Sequence, residues 1–460
     1  MKIPLRSFLN SKEGYALPSI LLLVTVLSSI ILSILIVQYL QRQSTLLDVA
    51  QVKADYAALN GINQMLVKMN SRTAQIRFGE EETQEYFYES QSLSRITFQQ
   101  WGFYYFIRAR GKEGRITSER IALAGSKLPR LFENALIFTN NNHQLVLSGT
   151  THIKGDVITG RSGMTIGTLP DFPTPRSVPV DGKTKKESSS IYSLQRWQQV
   201  VDDLNDFVDQ KYIPQVSSES IVRLNTNGIS RLDSSTIPQN ARIIIVGGRA
   251  ALSGRFIRRS ETLFILAQGD VIFQNDASLC GCIAVCSKKS IVVPSSVQIE
   301  SAILFSQSAI QVEADASISA QLIAPVIDVH NSAHCKYPSV LVSSQPADPK
   351  GLKQEIQLEN GTQVEGVVVL LSKTMRNERC IINLQSGAKL KGVLISEKEM
   401  TLDGSVNGIV LTKDFYFYSS PTTYFGWIRS GKIDRSALPS SFLIPMGFSE
   451  KDQLDILDWL

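Results

Sequence analysis

The sequence is poor in the residues on which most catalytic and cofactor sites depend. Its 460 residues include only four histidines and five cysteines. No glycine-rich phosphate loop with its lysine is present. The acidic residues of the central region form no aligned row of the kind a polysaccharide-cleaving carboxylate pair needs; they are Asp270, Asp276, Glu300, Glu313 and Asp315. We therefore predict no catalytic residue, no bound metal and no cofactor.

Charge is also scarce. Charged residues make up 19% of the chain and hydrophobic residues 43%, which is the composition of a folded protein and not of a disordered one. The formal net charge of +5 is too small to indicate a nucleic-acid partner by itself. The length allows two or three domains, each with its own core.

The odd number of cysteines excludes a complete intramolecular disulfide framework. Cys280, Cys282 and Cys286 have the spacing C-x-C-x₃-C, which is not the C-x₂-C pair that zinc sites favour. Buried free thiols are our interpretation. The alternatives are a disulfide between Cys286 and Cys335, and a metal site completed by nearby histidines.

A long uncharged segment lies near the N-terminus. Residues 14–41 carry no charged side chain, and a helix needs roughly 20 apolar residues to cross a bilayer. Lys2, Arg6 and Lys12 precede the segment, so the positive-inside rule puts the N-terminus in the cytoplasm and the body outside. We predict a single-pass membrane protein.

The helical pattern continues beyond the membrane to Asn70, and it predicts a stalk that packs on the body. The apolar positions of this stripe are Leu46, Leu47, Val49, Ala50, Val52, Tyr56, Leu59, Ile62, Met65, Leu66 and Met69.

A short basic stretch ends in Lys12-Glu13-Gly14, and the apolar helix follows at once. This arrangement resembles the class III leader of type IV pilins and type II secretion pseudopilins. The resemblance implies a leader over 1–14, cleavage by a prepilin peptidase between Gly14 and Tyr15, and filament contacts near Pro18 and Ser19. Major pilins place a Glu where this chain has Ser19, and its loss is typical of K-type pseudopilins at a filament tip and of some minor pilins. An uncleaved signal anchor is the alternative.

Residues 71–130 are predicted to form a small antiparallel β unit behind the helix of 15–70. Strand-like segments alternate with turn residues, and the turn of the last hairpin is placed at Gly111–Gly114. The unit is rich in aromatic residues, which we interpret as core and not as a binding face. A sheet that packs on the helix in this way is typical of a pilin head.

The rest of the chain shows repeats. Segments 263–281, 282–301 and 302–320 are 19, 20 and 19 residues long, and each contains a short apolar strand followed by an alternating one. This period predicts a β-solenoid, in which successive coils stack and fill their interior with apolar side chains. The pattern resembles the bactofilin-like, polymer-forming β-helices of bacterial envelopes, and that likeness implies self-association.

The predicted fold is therefore mainly β, with a solenoid that is interrupted and capped. First coils occupy 131–167, a loop and an amphipathic helix capped by Ser193 occupy 168–240, and the main solenoid occupies 241–418. Residues 419–460 are predicted to be a C-terminal cap, with a final helix after Ser449 and the aromatic run Tyr416–Trp427 as a further cover.

One group of arginines is a candidate site for an anion or DNA. A solvated surface is the alternative interpretation. The group consists of Arg249, Arg255, Arg258 and Arg259.

Together these features predict a minor pilin or pseudopilin-like structural subunit in the bacterial inner membrane, with its body in the periplasm or at the cell surface. Its partners would be the membrane and other pilin subunits. It would be located at the filament tip or would prime filament assembly. The second hypothesis is an uncleaved anchor whose solenoid binds a glycan or another envelope component. A β-helix enzyme acting on polysaccharide is the third.

Overall fold

The computed structural model describes residues 16–71, 76–88, 92–168, 179–187, 194–214, 216–225, 228–344, 353–372, 380–449 and 452–459. The predicted leader, Gly14, Tyr15 and the capping residue Ser193 lie outside these ranges, as does most of the loop predicted over 168–190. The described chain divides into two compact units. The first contains the N-terminal helix up to Gly61 with Glu85–Arg95 and Ala109–Arg120, and the second contains the remainder.

Two α-helices are present in the described residues, α1 (Ala16–Ser71) and α2 (Gln195–Val208). The strands before α2 are β1 (Glu81–Phe87), β2 (Ser92–Trp101), β3 (Tyr104–Glu113), β4 (Ile116–Lys127), β5 (Leu136–Phe138), β6 (Leu145–Leu147), β7 (His152–Lys154), β8 (Val157–Thr159), β9 (Met164–Ile166), β10 (Val180–Asp181) and β11 (Thr184–Lys186).

The strands between α2 and residue 360 are β12 (Ile221–Leu224), β13 (Ile229–Asp233), β14 (Ile243–Val246), β15 (Arg249–Ser253), β16 (Arg255–Ala267), β17 (Val271–Phe273), β18 (Ser278–Ser287), β19 (Ile291–Val293), β20 (Gln298–Ser306), β21 (Ala309–Val312), β22 (Ser317–Ala324), β23 (Val326–Val329), β24 (His334–Ser343) and β25 (Gln354–Leu358). The last strands are β26 (Gln363–Leu370), β27 (Cys380–Leu384), β28 (Lys389–Leu402), β29 (Ser405–Ser419), β30 (Thr422–Phe425), β31 (Trp427–Ile428), β32 (Lys432–Asp434), β33 (Leu443–Ile444) and β34 (Leu454–Trp459).

In the first unit, α1 approaches β3 closely at Gly111. A Cβ atom on Gly111 would lie 1.9 Å from the carbonyl oxygen of Ala54, so only glycine allows this approach. Gly111 therefore belongs to a strand and not to the turn predicted there, which falls at Gly114, where φ is +58°. Arg120 donates hydrogen bonds to Asp55, and these bonds lower the pKa of that carboxyl group.

The small sheet has the strand order β1-β2-β3-β4-β33, and β34 also pairs with β4. The C-terminal segment after Ser449 is thus an antiparallel strand, with Leu454 opposite Ser126, and the predicted final helix is wrong. The aromatic residues of this region are mostly core, as predicted: Trp101, Phe103, Tyr104, Tyr105 and Phe106 are all buried. Phe87 is 79% exposed, and Tyr86 and Tyr88 are only partly buried.

The solenoid has three walls in each coil. In one coil they are Ser278–Cys280 (first wall), Ile283–Ser287 (second wall) and Ile291–Val293 (third wall). Parallel pairing joins Leu279 to Ile299, Val285 to Leu304 and Ile291 to Ile310 in the next coil, offsets of 19 or 20 residues. This confirms the mainly β, solenoid-type fold, and the parallel stack already includes Ile221–Leu224.

The three walls differ because their outer faces meet different surroundings. The second wall is apolar on both faces: Val285 and Leu304 point into the solenoid core, while Ala284 and Phe305 belong to a second cluster outside it. A strand that is covered on both faces has a continuous run of apolar residues in its sequence. The third wall alternates, with Ile291 and Val293 buried and Val292 partly exposed.

Helix α2 belongs to the apolar cluster on the outer face of the second wall. Trp197 is fully buried and stacks on Phe103 with ring centroids 4.3 Å apart. Gln321 of the second wall accepts a hydrogen bond from the Phe103 N–H at 2.8 Å and donates to the Trp101 carbonyl at 3.0 Å. The predicted amphipathic helix is thus present, over a shorter range than Ser193–Tyr212.

The coils do not stack in simple chain order. Leu136 of β5 pairs with Val410 of β29, Val157 pairs with Leu136, and Thr184 pairs with Val157. The early coils therefore extend the stack beyond its C-terminal coils. The aromatic run Tyr416–Trp427 adjoins coils on both sides and does not cap an end. Since β32 pairs with β7 and β29, and β33 and β34 pair with β4, the segment 419–460 is not a terminal cap.

None of the five cysteines, all of which lie in the described residues, forms a disulfide. Cys282, Cys286, Cys335 and Cys380 are buried, and burial raises the pKa of Cys335 to about 12. The alternative disulfide between Cys286 and Cys335 is not formed. Among the described residues no group of His, Cys, Asp and Glu is arranged to hold a metal ion.

Candidate membrane and subunit-contact surface

The most distinctive surface of the chain is the exposed apolar half of α1. From Leu17 to Leu40 every large apolar side chain is between 49% and 71% exposed, and no charged residue interrupts the segment. These 24 residues form a helix about 36 Å long, which covers the roughly 30 Å of a bilayer's hydrocarbon core. Within the described residues, α1 is thus the one helix long and apolar enough to cross a membrane.

Two hydroxyl groups of this segment are hydrogen-bonded within the helix. Thr25 donates to the Leu21 carbonyl at 2.9 Å, and Ser33 donates to the Ser29 carbonyl at 2.8 Å. No water is present in the bilayer core to hydrogen-bond such groups. These internal bonds therefore lower the free-energy cost of placing the two hydroxyl groups in lipid. Pro18 is the third residue of α1, where its missing N–H costs nothing.

Pro18 and Ser19, the predicted filament-contact residues, are both exposed on the first turn of α1. The predicted cleavage residues Gly14 and Tyr15 precede the described part of the helix. Processing at this bond and filament contact therefore remain predictions.

A second exposed apolar stretch lies beyond the membrane segment. Leu46, Leu47, Val49, Val52 and Tyr56 are between 47% and 61% exposed. We call them the outer apolar stripe. Arg42, Asp48, Lys53 and Asp55 are interspersed with it, and charges in hydrocarbon are costly. The outer apolar stripe therefore lies outside the bilayer and is exposed in the described structure.

The apolar stripe that was predicted to pack on the body is exposed over its first half, from Leu46 to Tyr56. Burial is found instead at Ala54, Ala57 and Ala58, which are not part of the predicted stripe. Later residues of the stripe are also buried, namely Ile62, Met65 and Leu66. The sequence places apolar residues on two sides of this helix, and spacing alone does not tell which side is covered within the chain.

The predicted arginine group is divided between two walls. Arg249 begins β15 on the third wall, and its Nε lies 3.1 Å from the Asp270 carboxylate of the next coil. Arg255 and Arg258 follow the corner at Gly254 and lie on the first wall. The side chain of Arg259 is outside the described part of the structure. The charge of Arg249 is paired with that of Asp270. The anion or DNA site remains a prediction.

Comparisons with known proteins give no family. No family model matches the sequence, and no curated protein matches it. Among solved structures, the competence-associated pilin ComZ from Thermus thermophilus aligns at 10% identity with a TM-score of 0.16, over 89% of this chain and 97% of that one. An ice binding protein from an Antarctic bacterium Flavobacteriaceae aligns at 12% identity with a TM-score of 0.12, over 66% and 97%. At these TM-scores neither likeness carries an argument.

Proposed function

We propose that this chain is a membrane-anchored, pilin-like structural subunit and not an enzyme. Its α1 helix would be held in the bacterial inner membrane with the body in the periplasm or at the cell surface. After cleavage between Gly14 and Tyr15 the helix would join other pilin or pseudopilin subunits. Ser19 in place of a glutamate favours a position at the tip or in priming of the filament.

The observation that carries this proposal is the length of the uncovered apolar surface on α1. A plain anchor needs only the bilayer-spanning residues to be apolar and exposed. Here the outer apolar stripe continues at residues that cannot lie in hydrocarbon beside Asp48, Lys53 and Asp55. Five large apolar side chains within eleven residues are about half exposed or more there, and monomeric proteins rarely leave large apolar patches in water. An apolar helix face from a neighbouring subunit is the cover that suits it, as in other helix-to-helix seams.

A photo-crosslinking experiment tests whether a neighbouring helix covers the outer apolar stripe. A photoreactive phenylalanine analogue replaces Tyr56, which is 61% exposed, in the full chain expressed in its own cell. We expect a crosslink to a second protein that carries its own basic leader and apolar N-terminal helix. The matched control places the same analogue at Phe87, which is 79% exposed and lies on β1, and should give no such product.

The opposite result separates the hypotheses. If Tyr56 crosslinks to no protein, or to the same products as Phe87, the stripe is not a subunit contact. The chain would then be a plain single-pass anchor, and its function would have to lie in the solenoid.

A further inference from the structure

A cleft lies on the outer face of the third wall, beside the hairpin of β29 and β30. It has a volume of about 340 Å³, at the lower end of the range of small-molecule sites. Its lining comes from three consecutive coils, and it includes Asn383, Gln385, Asp403, Tyr416, Tyr418 and Arg429. None of these positions belongs to α1 or to the arginine group.

The hairpin presents aromatic rings on the side that reaches solvent. Tyr416 pairs with Phe425 across the hairpin, with ring centroids 5.8 Å apart. Tyr418 is 57% exposed and Phe425 is 40% exposed. The alternate residue Phe417 is buried and stacks on Tyr424 with centroids 4.7 Å apart. One face of the hairpin therefore anchors it, and the other holds phenol and phenyl rings at the surface.

The polar groups of the cleft are fixed before any ligand arrives. The Arg429 Nε donates to the Asp403 carboxylate at 2.7 Å, and the guanidinium lies 5.2 Å from the centre of the Phe417 ring. The hydrogen bonds from Arg429 to Asp403 raise the pKa of Arg429, so the guanidinium stays charged. Preorganised planar groups of this kind reduce the ordering cost of binding.

The charge of the cleft selects against ionic ligands. The carboxylate of Asp403 is compensated by Arg429, and the remaining named side chains are amides and phenols. A polyanion such as DNA needs uncompensated positive charge for its phosphates, and a lipid chain needs an apolar groove. Amides and phenols around an exposed ring match a neutral molecule with many hydroxyl groups and an apolar C–H face, which is the chemistry of a pyranose sugar.

The stacking of the coils also fixes the distance between equivalent side chains of adjacent coils. Asn383 and Thr401 are register partners in adjacent coils, and the Thr401 hydroxyl donates to the Tyr416 carbonyl at 2.8 Å. Polar positions thus recur in adjacent coils at the strand spacing of about 4.8 Å, and Tyr416 follows them in the third coil. This spacing is close to the length of one ring in an extended β-1,4-linked glycan, so consecutive coils can contact consecutive sugar rings.

We propose that this cleft binds a neutral β-1,4-linked glycan, with Tyr418 stacking on a pyranose ring and Asn383 and Asp403 bonding to its hydroxyl groups. The proposal does not depend on the pilin-like role of α1. A plain membrane anchor would carry the same site.

Titration calorimetry on the full chain, in a detergent without a sugar headgroup, tests the site. The probes are cellotetraose and chitotetraose, with a DNA oligonucleotide as the polyanion. We expect one of the tetrasaccharides to bind, and the Tyr418→Ala and Asn383→Ala variants to weaken it about tenfold or more. Tyr418 is exposed, so its replacement should leave the thermal midpoint unchanged.

Phe87→Ala is the matched control, because it removes an exposed aromatic ring that does not line the cleft. The affinity of this variant for the tetrasaccharide should equal that of the unaltered protein. The proposal is overturned if neither tetrasaccharide binds. It is also overturned if binding survives both cleft variants, or if DNA alone binds to this surface.

Discussion

Gly392→Ala is expected to lower the free energy of unfolding by about 4 kcal/mol or more, a loss at the upper end for a single substitution. Gly366, Gly392 and Gly408 are register partners in three successive coils. The φ of Gly392 is +145°, and a Cβ atom there would lie 1.8 Å from the Gly366 carbonyl oxygen. No side chain can rotate away from that contact, because it involves backbone on both sides.

The loss is measured as the apparent thermal midpoint of the detergent-solubilised chain, followed by circular dichroism of its β structure. A long repeat array need not unfold in one step, so the midpoint is compared between variants and not converted to a free energy. Gly228→Ala is the control, since nothing lies within 4 Å of its added Cβ. Equal midpoints for the two variants would contradict the stacking of coils at these glycines.

Trp197→Ala is expected to cost about 3–5 kcal/mol, as for other large aromatic residues removed from a core. Trp197 is fully buried and contacts Phe103 on one side and Phe448 on the other, with ring centroids 4.3 Å and 4.7 Å away. Its loss leaves a cavity under α2 and exposes the outer face of the second wall.

Limited proteolysis and the thermal midpoint together report this change. We expect faster cleavage around α2 in the Trp197→Ala variant. Trp459→Ala removes the same side chain from a position that is 45% exposed, so it should behave like the unaltered chain. If both variants are equally stable, Trp197 does not hold α2 on the solenoid.

The membrane helix and the solenoid period could be predicted from the sequence because both are one-dimensional signals. An uncharged apolar run of more than 20 residues is typical of a membrane-spanning helix and rare in water-soluble domains. Each repeat of 19 or 20 residues contains a continuous apolar strand and an alternating one. The continuous strand corresponds to the wall that is covered on both faces, and the alternating strand to a wall with one face exposed to solvent. These features depend on local residues alone.

The order of the coils could not be predicted in this way. Leu136 and Val410 are 274 positions apart in the chain, and any coil of this pattern offers a similar edge to any other. The C-terminal strand is wrongly predicted as a helix because Leu454, Ile456 and Leu457 suit either period over so short a run. The cleft depends on three coils and a hairpin meeting, and its only signal in the sequence is the aromatic run that contains Tyr416 and Tyr418.

The exposure of the outer apolar stripe could not be predicted from the pattern either. Tyr56 and Ile62 belong to the same apolar series, yet Tyr56 is 61% exposed and Ile62 is fully buried. The difference is set by what each side of α1 meets in the folded chain. It is this uncovered side that turns an anchor helix into a candidate subunit contact.

The intact mass and N-terminal sequence of the membrane-extracted protein, from cells with and without a prepilin peptidase, test the central claim most directly. The pilin-like account predicts a mature chain that starts at Tyr15 only when the peptidase is present, and an uncleaved chain with Gly14 replaced by a bulkier residue. A chain that starts at Met1 in both strains would contradict it, and α1 would then be an uncleaved anchor for the solenoid.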